Sequence, residues 1–237
     1  MAKKNERVYL HEYIDIILHH RADYFEHMTV GWKEAAAERG SRTVGIWGSF
    51  GSTGRWPEVV NLWEYDNWEM VAKIFAHESG GKNMQDPTLK EWWAKAQAFR
   101  SGGWDRLLLP TDYTPGIEEI CQKGMIKHRV YCQERINITP GQSETYLDML
   151  GEHFLPIAKE LGMDLIGAYN TALRNDSEAF VIWGIKTWED WARIEQAYQK
   201  SDKIKAWRAR TSGIALDWVN LLMCNAPQSP LETGRQP

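Results

Sequence analysis

The stretch Val8-Tyr9-Leu10-His11-Glu12-Tyr13-Ile14-Asp15-Ile16 returns in the second half of the chain as Val130-Tyr131-Cys132-Gln133-Glu134-Arg135-Ile136-Asn137-Ile138. Val, Tyr, Glu and two Ile coincide, and both runs alternate with the two-residue period of a strand. An internal repeat of this length limits the fold more than any single motif, because each copy must form the same unit.

The order of patterns after each run is also duplicated. An amphipathic helix follows, with Leu18, Ala22, Phe25, Thr29, Trp32 and Ala36 at helical spacing in the first copy and Tyr146, Leu150, His153, Ile157 and Leu161 in the second. Gly40 and Gly162 then suit helix termination. A second strand, Val44–Ser49, matches Ile166–Thr171, and a third, Val59–Tyr65, matches Ala179–Ile185. Trp63 is followed by Trp68-Glu69, and Trp183 by Trp188-Glu189, at the same distance. A second helix and a last strand, Trp104–Leu109 or Leu216–Met223, complete each copy. The order β-α-β-β-α-β is ferredoxin-like. Its sheet carries helices on one face only, so an aromatic opposite face demands a second sheet. The expected fold is α+β: two repeats, residues 1–110 and 125–224, closing into one intramolecular barrel. Residues 111–124 read as a linker, and the Pro-, Gln- and Ser-containing residues 225–237 as a disordered tail.

The run Tyr9-Leu10-His11-Glu12-Tyr13, the Thr139-Pro140-Gly141 turn, the strand Leu62-Trp63-Glu64-Tyr65 and the segment Asp86-Pro87…Trp92 resemble NIPSNAP-type domains. The resemblance covers both copies and implies the dimeric α+β barrel superfamily, here as a tandem fusion of what is usually a homodimer. It implies a range of activities: cofactor-free monooxygenases, cyclases, isomerases, dehalogenating and dehydrating enzymes, haem-binding members and proteins without chemistry. Fold therefore follows from it more firmly than function. The first copy departs from the second by the insertion His77-Glu78-Ser79-Gly80-Gly81-Lys82-Asn83.

Composition excludes several classes. A net charge of -4 gives no basic face for nucleic acid. No apolar run reaches membrane-spanning length. Three scattered cysteines without a C-x-x-C motif argue against a disulfide framework or structural zinc, and with no signal-peptide pattern at the N-terminus they point to a cytoplasmic protein. The 13 Trp point to a ring-walled chamber or a bulky aromatic core, and hence to a small aromatic or hydrophobic partner. Further pairing of the fused unit is left open.

Strand alternation puts Tyr9, His11 and Tyr13 on the face away from the helices, with Tyr131, Gln133 and Arg135 as their counterparts. Trp47, Asn61, Trp63, Tyr169 and Trp183 are assigned to the same chamber. His11 is the candidate general acid–base, and Tyr13 and Arg135 the groups that stabilise an anion. Glu12 and Glu134, shared by both copies, are either architectural or buried bases of raised pKa. His20, Asp23 and His27 lie on one helix side but span too far to hold one metal ion. His153 is a candidate chamber residue or haem ligand. The loop Phe50-Gly51-Ser52-Thr53-Gly54-Arg55 lacks the ending of a phosphate-binding loop and reads as a hairpin or lid. The expected function is acid–base chemistry without an organic cofactor on a small aromatic molecule, by a lyase or isomerase. The alternatives are a cofactor-free monooxygenase, a haem-binding protein, and a binding or scaffold protein without turnover.

Overall fold

The computed structural model describes residues 5–32 and 38–237; Ala36 of the first helical stripe and residues 1–4 lie outside them. The first repeat runs β1 (Val8–Ile16), α1 (Arg21–Met28), β2 (Arg42–Ser49), β3 (Glu58–Tyr65), α2 (Trp68–Ser79), α3 (Lys90–Ala96) and β4 (Arg100–Pro110). A short helix α4 (Ile117–Gln122) leads to the second repeat: β5 (Val130–Ile138), α5 (Ser143–Met149), α6 (Leu155–Leu161), β6 (Met163–Thr171), β7 (Glu178–Ile185), α7 (Trp188–Lys200), α8 (Asp202–Thr211) and β8 (Ala215–Asn225). A last turn of helix, α9 (Pro230–Thr233), closes the chain.

The eight strands form one closed antiparallel barrel in the order β1-β3-β2-β8-β5-β7-β6-β4. Each repeat supplies four consecutive staves. The seams are β2 with β8 and β4 with β6, so neither sheet keeps a free edge of the kind that invites intermolecular pairing. The duplicated motifs have duplicated structural causes. Asn67 accepts a hydrogen bond from the backbone N–H of Met70, and Thr187 from that of Asp190, so each Trp-Glu pair marks the start of a capped helix. Between α5 and α6, residues Leu150–Phe154 widen into a π-turn. Pro156 lacks an N–H and crowds the carbonyl of Glu152, and the wider turn accommodates both.

Inside the barrel, Tyr9, Trp47, Leu62, Tyr131, Tyr169, Phe180 and Ile182 pack as one cluster and are fully buried. Two of these rings need glycines. Trp47 and Tyr169 fold back over Gly45 and Gly167, beside matching irregularities in the β2–β3 and β6–β7 pairings. The interior is thus filled by the protein's own rings, each stabilising the closed form by roughly 1.5–3 kcal/mol through burial. α4 and α9 close one end with Ile117, Ile120 and Leu231.

Three expectations change. Asn61, Trp63 and Trp183 do not face the interior: Leu10 is opposite Trp63 and Cys132 opposite Trp183, and directly opposed residues share a face. All three point to the helix layers, as does Tyr65. The tail is ordered, with Ala226, Ser229 and Leu231 buried and Gln236 bonded to the backbone of Thr43; capping the barrel end gives it apolar contacts its composition does not reveal. In the first helix, Tyr24, His27 and Met28 form the buried face while Leu18 is exposed, because the helix starts only at Arg21.

Candidate functional site

Two open spaces lie outside the barrel wall, one between each half-sheet and its own helices. The second repeat holds a cavity of about 680 Å³ and the first one of about 530 Å³, both within the range of small-molecule sites. The floor of the larger cavity is β5, with Cys132 and Glu134, flanked by Trp218 and Asn220 of β8. Tyr146 and Phe154 form one wall, Trp191, Glu195 and Tyr198 of α7 another, and Trp207 and Arg208 of α8 the rim. The indole N–H of Trp191, one of the lining residues, is buried and has no acceptor.

Glu12 and Glu134 occupy the same place in the two cavities but have different surroundings. Glu12 accepts hydrogen bonds from Asn61 Nδ2 at 3.0 Å and Trp63 Nε1 at 2.5 Å. Opposite Glu134 the position of Asn61 is filled by Val181. The Trp183 indole approaches the Glu134 carboxyl outside ordinary hydrogen-bond geometry. Burial therefore dominates: it pushes Glu134 up to about 7, with the Trp183 indole offsetting and the charge of Glu195 reinforcing the rise. In the first repeat the residue across from Glu12 on β4 is Asp105, also pushed up to about 7, by burial and by the charge of Glu12. The corresponding partner of Glu134 is the neutral Asn220. Two halves built alike hold a carboxylate pair across neighbouring strands on one side and, on the other, a weakly solvated carboxyl whose strand neighbours are Val181 and Asn220.

The sequence-derived candidates divide between three places. Tyr9, His11, Trp47, Tyr131, Gln133 and Tyr169 are in the packed interior. His11 Nε2 is 2.6 Å from Gln133 Oε1, and the Gln133 amide also donates to the Tyr13 hydroxyl. Burial depresses His11 to about 3, so it is neutral at physiological pH, clamped across the pseudo-twofold axis and away from the two helix-side cavities. Its ring signals are expected to show no titration between pH 5 and 8 by nitrogen-detected NMR. A midpoint near 6.5 would show the ring open to water. Tyr13 and Arg135 come together at the uncapped barrel end. Glu12, Asn61, Trp63 and Trp183 belong to the helix-side layers. His153 lies on the outer helix surface, with Nε2 3.3 Å from Arg210 Nη1, rather than in a chamber; the π-turn sets its direction. His20 bonds Asp23 at the surface while His27 stacks on Trp92.

Sequence reasoning missed the walls supplied by Trp191, Tyr198, Trp207 and Arg208. The signal was present in the hydrophobic positions of α7 and α8, but nothing local distinguishes a helix face that leaves space from one that packs shut.

No family model matches the chain, and no curated protein sequence matches it. Solved structures do. A proposed monooxygenase from Lactobacillus acidophilus NCFM is 11% identical, covers 93% of this chain and 94% of its own, and superposes with a TM-score of 0.62. An anthrone oxidase-like protein is 13% identical, covers 93% and 91%, and gives 0.64. A NIPSNAP family protein of unknown function from Agrobacterium tumefaciens str. C58, 19% identical, covers 44% of this chain and 95% of its own with a TM-score of 0.40. The first two superpose over nearly the whole of this chain. The fold of this chain is the dimeric α+β barrel, built here from one polypeptide.

Proposed function

We propose that this single-chain dimeric α+β barrel is an enzyme that removes a proton from a small aromatic or hydrophobic molecule held in the helix-side cavity of its second repeat, with Glu134 as the general base. The observation that carries this reading is a carboxyl pushed up to about 7 at the floor of a ring-lined cavity. A carboxylate of that basicity takes a proton from carbon or phenol far more readily than an ordinary surface glutamate, yet is half ionised at neutral pH. Arg208 supplies a positive charge at the rim, suited to an anion developing on the substrate. Proton return at another atom gives isomerisation, and loss of a leaving group gives a lyase reaction. No organic cofactor enters this scheme.

The test needs no prior substrate. Small aromatics carrying an acidic C–H are incubated with the protein in deuterium oxide and followed by proton NMR. Enzyme-dependent loss of one C–H signal is the expected result. Absence of exchange throughout the panel, with binding demonstrated, would refute proton removal. Oxygen consumption on substrate addition would instead assign oxygen insertion, the activity proposed for one of the structures that share this fold.

The pH dependence follows from the cause of the shift. Activity should rise with pH through a midpoint near 7, because Glu134 must be ionised to act. Val181→Asn restores the donor that Asn61 gives Glu12. It should move that midpoint to lower pH, since hydrogen bonds to the charged form favour it. An unmoved midpoint in a folded variant would assign the titration to another group.

A further inference from the structure

The uncapped end of the barrel carries a charge arrangement that the helix-side chemistry does not use. Arg106, on β4 opposite His11, turns its side chain into the barrel, where the side chain is 5% exposed. Its guanidinium carbon is 3.4 Å from the centre of the Trp104 ring and 4.4 Å from that of Phe180. Nε is 3.4 Å from Glu178 Oε2, but both terminal nitrogens are buried without an acceptor. Arg135 reaches the same carboxylate from the other repeat, 3.8 Å away, and its Nε likewise lacks a hydrogen bond. One carboxylate thus serves two guanidiniums, and Glu178 also accepts from the Thr171 hydroxyl.

The remaining charges nearby do not neutralise the pair. Asp15 is engaged by Arg55 at 2.5 Å. Glu58 is pushed up to about 7 by burial, which makes it a partial donor rather than a full anion. The Tyr13 hydroxyl accepts from Gln133, and burial raises Tyr13 to about 12, so it stays neutral. Guanidinium N–H groups left without acceptors are costly to bury, and an arriving anion lowers that cost.

Beside this pair lies a cavity of about 330 Å³, lined by Tyr13, Trp104, Arg135, Glu58, Arg55 and Leu221. Trp104 and Tyr13 stand nearly parallel, 10° apart, and Trp104 is 51% exposed. The loop between β2 and β3 borders the space, pinned to β8 by Phe50 N–H to the Leu222 carbonyl and by Leu222 N–H to Thr53 Oγ1. A flat indole beside two under-neutralised guanidiniums recognises a planar ring that bears a carboxylate: the ring stacks, and the carboxylate meets the forked donors.

We infer that the barrel mouth is a second binding site, separate from the Glu134 cavity, for a small aromatic carboxylate held by Arg135 against Trp104, with the buried Arg106 stacked on that indole adding positive charge from beneath. Residues from both repeats build it, so it exists only because the barrel closes.

The test is calorimetric titration of the full chain with 2-naphthoate at pH 6, where Glu58 is largely protonated and the acid ionised, alongside the neutral 2-naphthalenemethanol. Wild type is expected to bind the acid at least tenfold more tightly than the alcohol. Arg135→Gln, at a partly exposed position, should weaken naphthoate binding at least tenfold. Arg106→Gln, beneath the indole, should weaken it by a smaller factor if it folds; Arg135→Gln decides the matter in either case. No uptake of naphthoate by wild type, equal affinity for acid and alcohol, or less than threefold weakening in folded Arg135→Gln would each overturn the site. Naphthoate held in the Glu134 cavity would ignore Arg135 and fall under the last outcome.

Discussion

Glu134→Gln is expected to lower turnover by roughly two to four orders of magnitude, the range lost with a general base, while ligand binding persists. Gln keeps the shape and polarity of the side chain but cannot take a proton. The same substitution should make the protein more stable at high pH. Glu134 is 7% exposed and its pKa in the fold lies above its ordinary value of 4.5, at about 7. The folded state therefore binds this proton more tightly than the unfolded state. Below pH 4.5 both states are protonated and no penalty exists. Between 4.5 and 7 the penalty grows, and above 7 it is complete. A rise of that size corresponds to about 3 kcal/mol at most. Chemical denaturation should thus show wild type and Gln variant equal near pH 4, with the variant about 1–3 kcal/mol more stable at pH 8. Loss of activity with gain of stability is the signature of a strained catalytic group. A Gln variant that retains activity, or one that is destabilised at pH 8, would return Glu134 to an architectural role.

The second large effect is expected away from any cavity. Gly167→Ala should destabilise the fold by about 2–4 kcal/mol, towards the upper end of the cost of overpacking a core. A methyl group on Gly167 would enter the space of the Tyr169 ring. That ring is fully buried against Tyr9, 4.9 Å between centroids, at the junction of the two repeats. It has no free volume to move into, and moving the backbone instead would disturb the β6–β7 register. Gly45→Ala should act in the same way through Trp47. Thermal unfolding measures both. A loss below about 0.5 kcal/mol, the usual scale of an inconsequential surface change, would mean that the interior is looser than its packing implies.

The fold was legible from the first strand because repetition and alternation are local properties. Val8 to Ile16 and Val130 to Ile138 show which residues alternate, and β-α-β-β-α-β order then leaves few ways to cover two aromatic sheet faces. Tyr9, Trp47, Tyr131 and Tyr169 could be placed inside on that basis. Asn61, Trp63 and Trp183 could not, because alternation gives two sets of residues without saying which set faces in. Polarity decided the question on β1, but on β3 and β7 the large rings divide: Trp63, Tyr65 and Trp183 belong to the helix side and Phe180 to the interior. Only the register of Leu10 with Trp63 and of Cys132 with Trp183 resolves it.

The site shows the same division. That Glu12 and Glu134 are equivalent, and that their neighbours differ, is written in the sequence. That Val181 faces Glu134 where Asn61 faces Glu12 requires the pairing of β5 with β7, and the weakly solvated carboxyl follows from it. The ordered tail depends likewise on a barrel end that exists only after two distant repeats have met. Sequence alone determined the unit, its duplication and the aromatic faces that force closure, since these rest on spacing along the chain. Tertiary structure alone decided which spaces stay open and which carboxyl loses its hydrogen-bond donors, since volume and desolvation arise from residues far apart in sequence.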